Sequence, residues 1–320
     1  MVRSVDPRYR AAEGRLWRSL GVEPAERWID LPGVGGAVRV QEIGAGPPSL
    51  FVHGGSTAGT SWADLAAVLP ERRCLLLDRP GTGLSDRLAA DIRDVADLQS
   101  AADRLIPDVL DGLALSAVDV VATSFGGWFA LRAALAAPER INRLVLFGWS
   151  AGSPVGRLPL MLRLGVAPVV GELIGRLPVT TAAVRAIFRG IGSGPAIDDG
   201  RITPEAIDAY AALLRWTPTL ANDRRLGRLF LSATGMDDRI VLSADERSRI
   251  ATPIDWLWGG RDAFGGEAIA RSFVAPFPDA RLTILPEAGH APWVDDLRTA
   301  ASFVRSALAA GKPADGDATR

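Results

Sequence analysis

Short apolar runs alternate with longer helical patterns along most of the chain. The apolar runs fall at residues 27–31, 37–42, 49–53, 74–78, 118–123, 143–147, 254–258 and 281–285. Several are unbroken Val, Leu and Ile stretches, a pattern typical of strands that are buried on both faces of a parallel sheet. Helical patterns fall at about 60–69, 94–112, 125–137, 265–276 and 294–309. The alternation predicts an α/β fold, with a mostly parallel central sheet of about eight strands flanked by helices.

The alternation stops near Trp149 and resumes near Pro253, with helical patterns and several prolines but no convincing strand between them. We therefore predict a helical cap inserted between two strands of the core; a separate helical domain is the alternative. The predicted parts are an N-terminal helical extension at 1–26, an α/β core at 27–149 and 253–310, the helical cap at 150–252, and a disordered tail at 311–320.

The composition is that of a globular protein without a strong charge. Hydrophobic residues make up 48% of the chain, charged residues make up 23%, and the formal net charge is −1. This balance gives no reason to expect nucleic acid or a membrane surface as a partner, and no apolar stretch is long enough to span a membrane. No signal-peptide pattern is visible, so the cytoplasm is the expected location.

Histidine is scarce, and this narrows the possible chemistry. The chain has two histidines, His53 and His290, which excludes a His-rich metal site. Gly33 and Gly35 lack the third glycine and the strand-turn-helix context of a dinucleotide-binding loop. We expect neither a metal nor an organic cofactor.

The strongest chemical signal follows the strand predicted at 118–123. Residues 122–126 read Ala-Thr-Ser-Phe-Gly and lead into an Ala-rich helical pattern. A sharp strand-to-helix turn lifts such a serine above the sheet, and it needs small neighbours because the turn brings backbone segments together. Residues 122–126 therefore read as a nucleophile elbow with Ala122 in place of the usual first glycine. Ser124 is the candidate nucleophile.

A serine hydroxyl needs a base, and the base needs an acid to orient it. His290 follows the last predicted strand, in a loop at the edge where ligands collect in open α/β sheets. Asp262 follows the preceding strand, which gives the chain order Ser, Asp, His that is expected for this kind of fold. The competing carboxylates do not end a core strand: Asp237, Asp238, Asp295 and Asp296. We predict His290 as general base and Asp262 as orienting acid.

The strand at 49–53 ends in His53 followed by Gly54 and Gly55. Glycines let backbone N–H groups approach a developing oxyanion without an intervening side chain. We predict that the backbone N–H groups of Gly55 and Phe125 form an oxyanion hole. His53 is expected to brace this loop as a structural residue.

The inserted segment is rich in Leu, Val and Ile, which indicates an apolar pocket between the cap and the core. Trp149, Trp62 and Phe264 are the residues that we expect to line it. The expected partner is a small apolar or amphipathic acyl substrate. The sequence does not define an oligomeric state.

These segments, together with residues 78–86 (Asp-Arg-Pro-Gly-Thr-Gly-Leu-Ser-Asp), resemble the capped α/β-hydrolase superfamily over residues 27–149 and 253–309. The resemblance implies a serine hydrolase that cleaves an ester, lactone or thioester through an acyl-enzyme. Serine at position 124 disfavours the epoxide hydrolases and haloalkane dehalogenases of this fold, which have aspartate there.

Several other functions stay open at this point. The meta-cleavage carbon–carbon hydrolases share the serine elbow and the cap, although they often carry Asn where this chain has Thr123. The same triad could also serve acyl transfer, cyclisation or a lyase step. A ligand-binding protein on the same scaffold is the alternative outside the enzymes.

Overall fold

The computed structural model describes residues 6–32, 36–87, 92–156, 158–167, 170–173, 177–232 and 235–309. Its centre is an eight-stranded sheet in the order β1-β2-β4-β3-β5-β6-β7-β8. The strands are β1 (Ala25–Asp30), β2 (Ala37–Ile43), β3 (Pro48–Val52), β4 (Arg73–Leu77), β5 (Val118–Thr123), β6 (Ile141–Ser150), β7 (Ile254–Gly259) and β8 (Ala280–Leu285). Strand β2 pairs antiparallel with β1 and β4, and all other neighbours are parallel. The predicted α/β fold with a mostly parallel sheet is confirmed.

Helices cover the sheet and form most of the inserted segment. Those outside the insertion are α1 (Pro7–Ser19), α2 (Ala63–Ala67), α3 (Val95–Gly112), α4 (Ser124–Ala136), α11 (Glu267–Val274), α12 (Pro292–Asp295) and α13 (Leu297–Ala309). Those between β6 and β7 are α5 (Leu160–Val166), α6 (Thr181–Gly190), α7 (Gly194–Asp198), α8 (Pro204–Trp216), α9 (Thr219–Gly227) and α10 (Ala244–Ser248). Short 3₁₀ helices occur at Gly59–Trp62, Pro138–Arg140 and Asp238–Ile240.

The observed elements follow the predicted ones closely, with informative differences. Strand β6 is longer than predicted and carries Trp149 as part of the strand. The helix predicted at 294–309 is two helices, because Asp296 has an extended backbone with φ −148° and ψ 85°. Residues 33–35 and the tail predicted at 311–320 lie outside the described residues.

Two hydrophobic clusters fill the space on the two faces of the sheet. On β5, Val120 and Ala122 belong to the cluster that also contains α3 and α4 residues. Val121, which points the opposite way as strand geometry requires, belongs to the cluster that contains α2 and α13 residues. Both faces of the central strands are therefore buried, and this explains their unbroken apolar runs.

Trp62 lies in the second of these clusters. Its side chain is fully buried, and its ring packs 4.3 Å from that of Trp293, 5.7 Å from Phe147 and 5.8 Å from Phe51. The prediction that Trp62 lines the substrate pocket is therefore wrong. Its place in the chain, near a loop that borders the site, did not reveal that the side chain faces the core.

In the inserted segment, the described residues form helices and one isolated bridge between Leu231 and Met236. Helix α8 packs against the N-terminal helix α1, where Tyr9 and Ala12 meet Ala212 and Leu213. The guanidinium of Arg8 lies 3.3 Å from the centre of the Trp216 ring. The N-terminal extension thus contacts the inserted helices directly.

A buried charged network joins α1 to the core. Arg39 on β2 is fully buried and donates hydrogen bonds to Glu13 on α1 at 2.6 Å and to Asp78, which follows β4, at 2.8 Å. Burial alone would lower the pKa of Arg39, but the two carboxylates outweigh it and hold the pKa well above its ordinary value. Asp78 also accepts the N–H groups of Gly59 and Leu84. The network therefore fixes the turn after β4.

Candidate active site

Ser124 stands at the junction of β5 and α4, in a conformation that few residues other than glycine adopt. Its φ is +52°, in the left-handed region. Two residues later, a Cβ atom on Gly126 would lie 2.3 Å from the carbonyl oxygen of Val52 and 2.4 Å from that of His53. Only glycine fits there, because the end of β3 passes directly over the start of the helix. The turn therefore has the tight geometry that the small residues around Ser124 predict.

His290 and Asp262 form a hydrogen-bonded pair. The Nδ1 atom of His290 lies 2.9 Å from Oδ2 of Asp262. The same carboxylate accepts the N–H of Trp149 at 2.7 Å on Oδ2 and the N–H of Phe264 at 3.0 Å on Oδ1. An ionised carboxylate only accepts, so Nδ1 carries the proton and Nε2 presents its lone pair. The Asp262 side chain is fully buried, and these three donors stabilise its charge.

The strand ends bring these groups to one edge of the sheet. Ser124 forms an isolated parallel bridge with Ser150 at the end of β6. A Cβ atom on Gly148 would lie 2.4 Å from the carbonyl oxygen of His290 and 3.2 Å from Oδ2 of Asp262. The ends of four parallel strands thus converge on a single site. In the described part of the chain, the Ser124 hydroxyl and His290 make no hydrogen bond, and such contacts often tighten only when substrate binds.

The two predicted oxyanion donors border the same site. Gly55 is exposed, and a Cβ atom there would meet no atom within 4 Å. Phe125 is at the start of α4, a helix of 13 residues, where backbone N–H groups lack partners within the helix and carry partial positive charge. A Cβ atom on the adjacent Gly54 would lie 3.0 Å from Cβ of Ser124. The loop after β3 therefore lies against the serine.

His53 is a buried neutral residue that supports this loop. Its Nδ1 lies 2.8 Å from the carbonyl oxygen of Gly54, and its Nε2 accepts the N–H of Arg79 at 3.1 Å. Burial, reinforced by the charge of Arg79, lowers the pKa of His53 well below its ordinary value. Both ring nitrogens are occupied, which matches the structural role that the sequence favours.

Aromatic rings enclose the His290–Asp262 pair. The Phe264 ring lies 4.5 Å from the imidazole of His290, and the Trp149 ring stacks on Phe264 at 5.0 Å with 17° between the planes. Trp149 is 4% exposed, and its indole N–H donates to the carbonyl oxygen of Pro154. Trp149 acts on the site mainly through its backbone N–H, which holds the Asp262 carboxylate. The partly exposed ring of Phe264 borders the site.

The inserted segment also contacts the histidine loop. The N–H of His290 donates to the carbonyl oxygen of Ile191 at 2.9 Å. Asp295, one of the competing carboxylates, accepts the N–H of Gly289 at 2.7 Å and the Ser193 hydroxyl at 3.1 Å. Burial raises the pKa of Asp295. Asp295 therefore holds the loop that carries His290, a role that its place in the sequence did not indicate.

The other competing carboxylates lie elsewhere. Asp237 pairs with Arg239 at 2.7 Å on the surface, and Asp296 accepts the N–H and hydroxyl of Thr299 at the start of α13. Among the residues with described positions, no group of three or more His, Cys, Asp or Glu side chains is arranged to hold a metal ion. In the same ranges, no helix is both long and apolar enough to cross a membrane.

A mostly parallel eight-stranded sheet with Ser, Asp and His after β5, β7 and β8, in that chain order, defines the α/β-hydrolase class of folds. The sequence profile of the alpha/beta hydrolase family matches residues 50–302. The chain belongs to this family.

Similar proteins include hydrolases of two kinds. The chain is 29% identical to an uncharacterised protein of Mycobacterium tuberculosis, over 86% of this chain and 79% of that protein. It is 26% identical to the 2-hydroxy-6-oxononadienedioate/2-hydroxy-6-oxononatrienedioate hydrolase of Cupriavidus pinatubonensis, over 80% of this chain and 85% of that protein. Carboxylesterase CesB of Bacillus subtilis has a similar fold, with a TM-score of 0.73, 19% identity and coverage of 96% of this chain and 99% of that chain.

Proposed function

We propose that this protein is a serine hydrolase that cleaves an acyl substrate through an acyl-enzyme. The observation that carries the proposal is the His290–Asp262 hydrogen bond of 2.9 Å at the edge of the sheet where Ser124 is held at φ +52°. An orienting carboxylate, a base with a free Nε2 and a hydroxyl that is not fully buried are the parts that activated-serine chemistry requires. The family's enzymatic character agrees with this assignment.

The reaction follows from these positions. Ser124 attacks the carbonyl carbon while Nε2 of His290 takes its proton, and Asp262 stabilises the imidazolium that results. The negative charge on the tetrahedral oxygen is met by the N–H groups of Gly55 and Phe125. His290 then protonates the leaving group. Water, deprotonated by the same imidazole, releases the acyl group and restores Ser124.

The side chains around the site favour a small apolar or amphipathic acyl group. Phe125 packs against Phe230 from the inserted segment with 5.4 Å between ring centres, and Phe264 borders the imidazole. We propose that residues 150–252 form a cap and that substrate binds between it and the core. Esters, lactones or thioesters with an apolar acyl group are the substrate class that we favour.

Carbon–carbon bond hydrolysis is the second candidate. It is favoured by the relative from Cupriavidus pinatubonensis, which is a 2-hydroxy-6-oxononadienedioate/2-hydroxy-6-oxononatrienedioate hydrolase and aligns over 80% of this chain. The same base and oxyanion donors could serve that reaction. Acyl transfer to an added alcohol or amine would be detected as a new product in the same assays.

The first experiment is labelling with a fluorophosphonate probe. We expect labelling of the wild type, none of Ser124→Ala, and unchanged labelling of Ser100→Ala, whose exposed hydroxyl bonds to the carbonyl oxygen of Ala96 within helix α3. Absence of labelling in the wild type would contradict the proposed enzyme and favour a ligand-binding protein.

The second experiment identifies the bond that is cleaved. We expect the wild-type enzyme, without the probe, to hydrolyse p-nitrophenyl esters, with kcat/KM rising along a series of acyl chain lengths. Consumption of a 2-hydroxy-6-oxodienoate is measured in parallel through the change in its absorbance. If kcat/KM does not change with acyl chain length and this compound is consumed, the result would instead assign carbon–carbon hydrolysis.

A further inference from the structure

The loop that bears Gly55 is held by an ion pair between the core and the inserted segment. Oδ2 of Asp223, on helix α9, accepts the N–H of Ser56 at 2.6 Å. The same oxygen accepts Nη2 of Arg79, which follows β4, at 2.9 Å. Neither charged residue has a part in the reaction steps described above. Their position beside Gly55 therefore needs a separate explanation.

Both charges are removed from solvent. The side chain of Arg79 is 1% exposed and that of Asp223 is 6% exposed. A buried ion pair is costly to form, and it persists only where the two partners and their remaining hydrogen bonds are well satisfied. Arg79 meets this condition by donating from Nε to the carbonyl oxygen of His53 at 3.1 Å and from Nη2 to that of Gly54 at 2.8 Å.

These contacts determine the direction of the Gly55 N–H. The carbonyl oxygen of Gly54 belongs to the same planar peptide group as that N–H, and in a trans peptide the two point in opposite directions. Arg79, together with His53 Nδ1 and the Thr57 hydroxyl, holds the Gly54 oxygen on one side. The Gly55 N–H must therefore point to the other side.

Asp223 holds the next peptide group. Its bond to the Ser56 N–H fixes the peptide that follows Gly55, and Ser56 itself has a φ of +55°. A non-glycine residue in the left-handed region is strained and persists only where its surroundings hold it there. Without Asp223, Ser56 would tend to relax to negative φ and rotate the peptide groups on both sides of Gly55.

We propose that Asp223 is a positioning residue that, through Ser56 and Arg79, holds the Gly55 N–H in the orientation required to bind the oxyanion. This inference rests on the proposed serine hydrolase reaction. It makes an inserted helix a determinant of reaction rate as well as of substrate selection, because α9 carries one of the supports of the oxyanion hole.

The test is the rate of fluorophosphonate labelling of Ser124, since this reaction also develops charge on an oxygen in the oxyanion hole. We expect Asp223→Asn to lower the second-order labelling rate and kcat by about 10- to 100-fold, with a much smaller change in KM. Asp237→Asn is the matched control, because it also removes an arginine-paired carboxylate from the inserted segment, and its rate should equal that of the wild type.

A second pair of variants separates positioning from a general loss of structure. In the Asp223→Asn background, Ser56→Gly should recover part of the labelling rate, because glycine adopts positive φ without strain. Ser56→Ala should recover none, since alanine has the same strain as serine. A merely structural defect would not distinguish the two substitutions.

Arg79→Lys provides the test if Asp223→Asn does not fold. Lysine keeps a positive charge beside Asp223 but lacks the planar fork that reaches two carbonyl oxygens and the carboxylate together, so the labelling rate should again fall. If the wild type is labelled and a folded Asp223→Asn or Arg79→Lys variant is labelled at the same rate, this inference is overturned and the proposed function stays intact. Failure of the wild type to label would overturn both.

Discussion

Asp262 receives the proton-bearing Nδ1 of His290 on the same oxygen that accepts the backbone N–H of Trp149, at 2.9 Å and 2.7 Å. The backbone of β6 thus holds the Asp262 carboxylate in place, and the carboxylate in turn orients the imidazole. Because Trp149 is in the strand and Gly148 has no side chain, the backbone of β6 can approach both groups closely. The sheet therefore positions the carboxylate that keeps the proton of His290 on Nδ1.

Replacing this acid by its amide should reverse the tautomer. In Asp262→Asn the amide nitrogen can donate to Nδ1, which would leave the proton on Nε2 and remove the base. If Asp262 has the proposed role, kcat for ester hydrolysis should fall by about 10³- to 10⁴-fold, the size of loss known for this change in Ser-His-Asp enzymes, with little change in KM. Steady-state kinetics on a reactive ester will check this. A loss smaller than tenfold would show that another carboxylate orients His290.

Gly126 and Gly55 should differ sharply in their tolerance of a methyl group. In Gly126→Ala the added Cβ would lie 2.3 Å from a backbone oxygen, so the end of β3 or the start of α4 must move. We expect the free energy of unfolding to fall by about 2 kcal/mol or more. Gly55→Ala, where the Cβ meets no atom within 4 Å, is the control and should change it by less than about 1 kcal/mol. Denaturant unfolding measures both; equal losses would contradict the close packing beneath the elbow.

His53 should make the stability depend on pH on the acid side. Its pKa in the folded protein is lowered well below the ordinary 6.5, so as the pH falls below 6.5 the unfolded chain takes up a proton that the folded chain does not. The folded state is therefore destabilised as the pH decreases, by up to about 1.4 kcal/mol per pH unit. Protonation would also place an Nε2–H against the N–H of Arg79, which explains why the folded protein resists it.

The comparison is between the wild type and His53→Gln, unfolded by urea at several values between about pH 5 and pH 6.5. We expect the variant to be less stable at neutral pH, because it loses part of the contacts of His53, but to have a shallower slope. Parallel slopes for the two proteins would rule out His53 as the group responsible.

Much of the architecture could be predicted from the sequence because it depends on local patterns. Strand β5 has the predicted bounds, since an unbroken apolar run ending at a serine with small neighbours permits few other arrangements. The positions of Asp262 and His290 followed from the rule that strand ends meet at one edge of a parallel sheet. Those signals are carried by short segments and do not require knowledge of distant packing.

The features that the sequence does not predict correctly, or does not predict at all, depend on contacts between distant segments. An aromatic residue such as Trp62, near a loop that borders the site, suits either a pocket or a core, and only its packing with Trp293 decides between them. Asp223 and Asp295 carried no signal, because their roles depend on contacts between the inserted helices and loops of the core. Tertiary contacts of this kind have no local sequence pattern.

Helix α1 joins the inserted helix α8 to the core. It packs on α8 while Glu13 binds the buried Arg39, so an outward swing of α8 must either draw Glu13 away from that guanidinium or peel the two helices apart. Either route exposes apolar or charged surface, which opposes the movement. Helix α1 therefore restrains any movement of α8 relative to the sheet, through one contact with the inserted segment and one with the core.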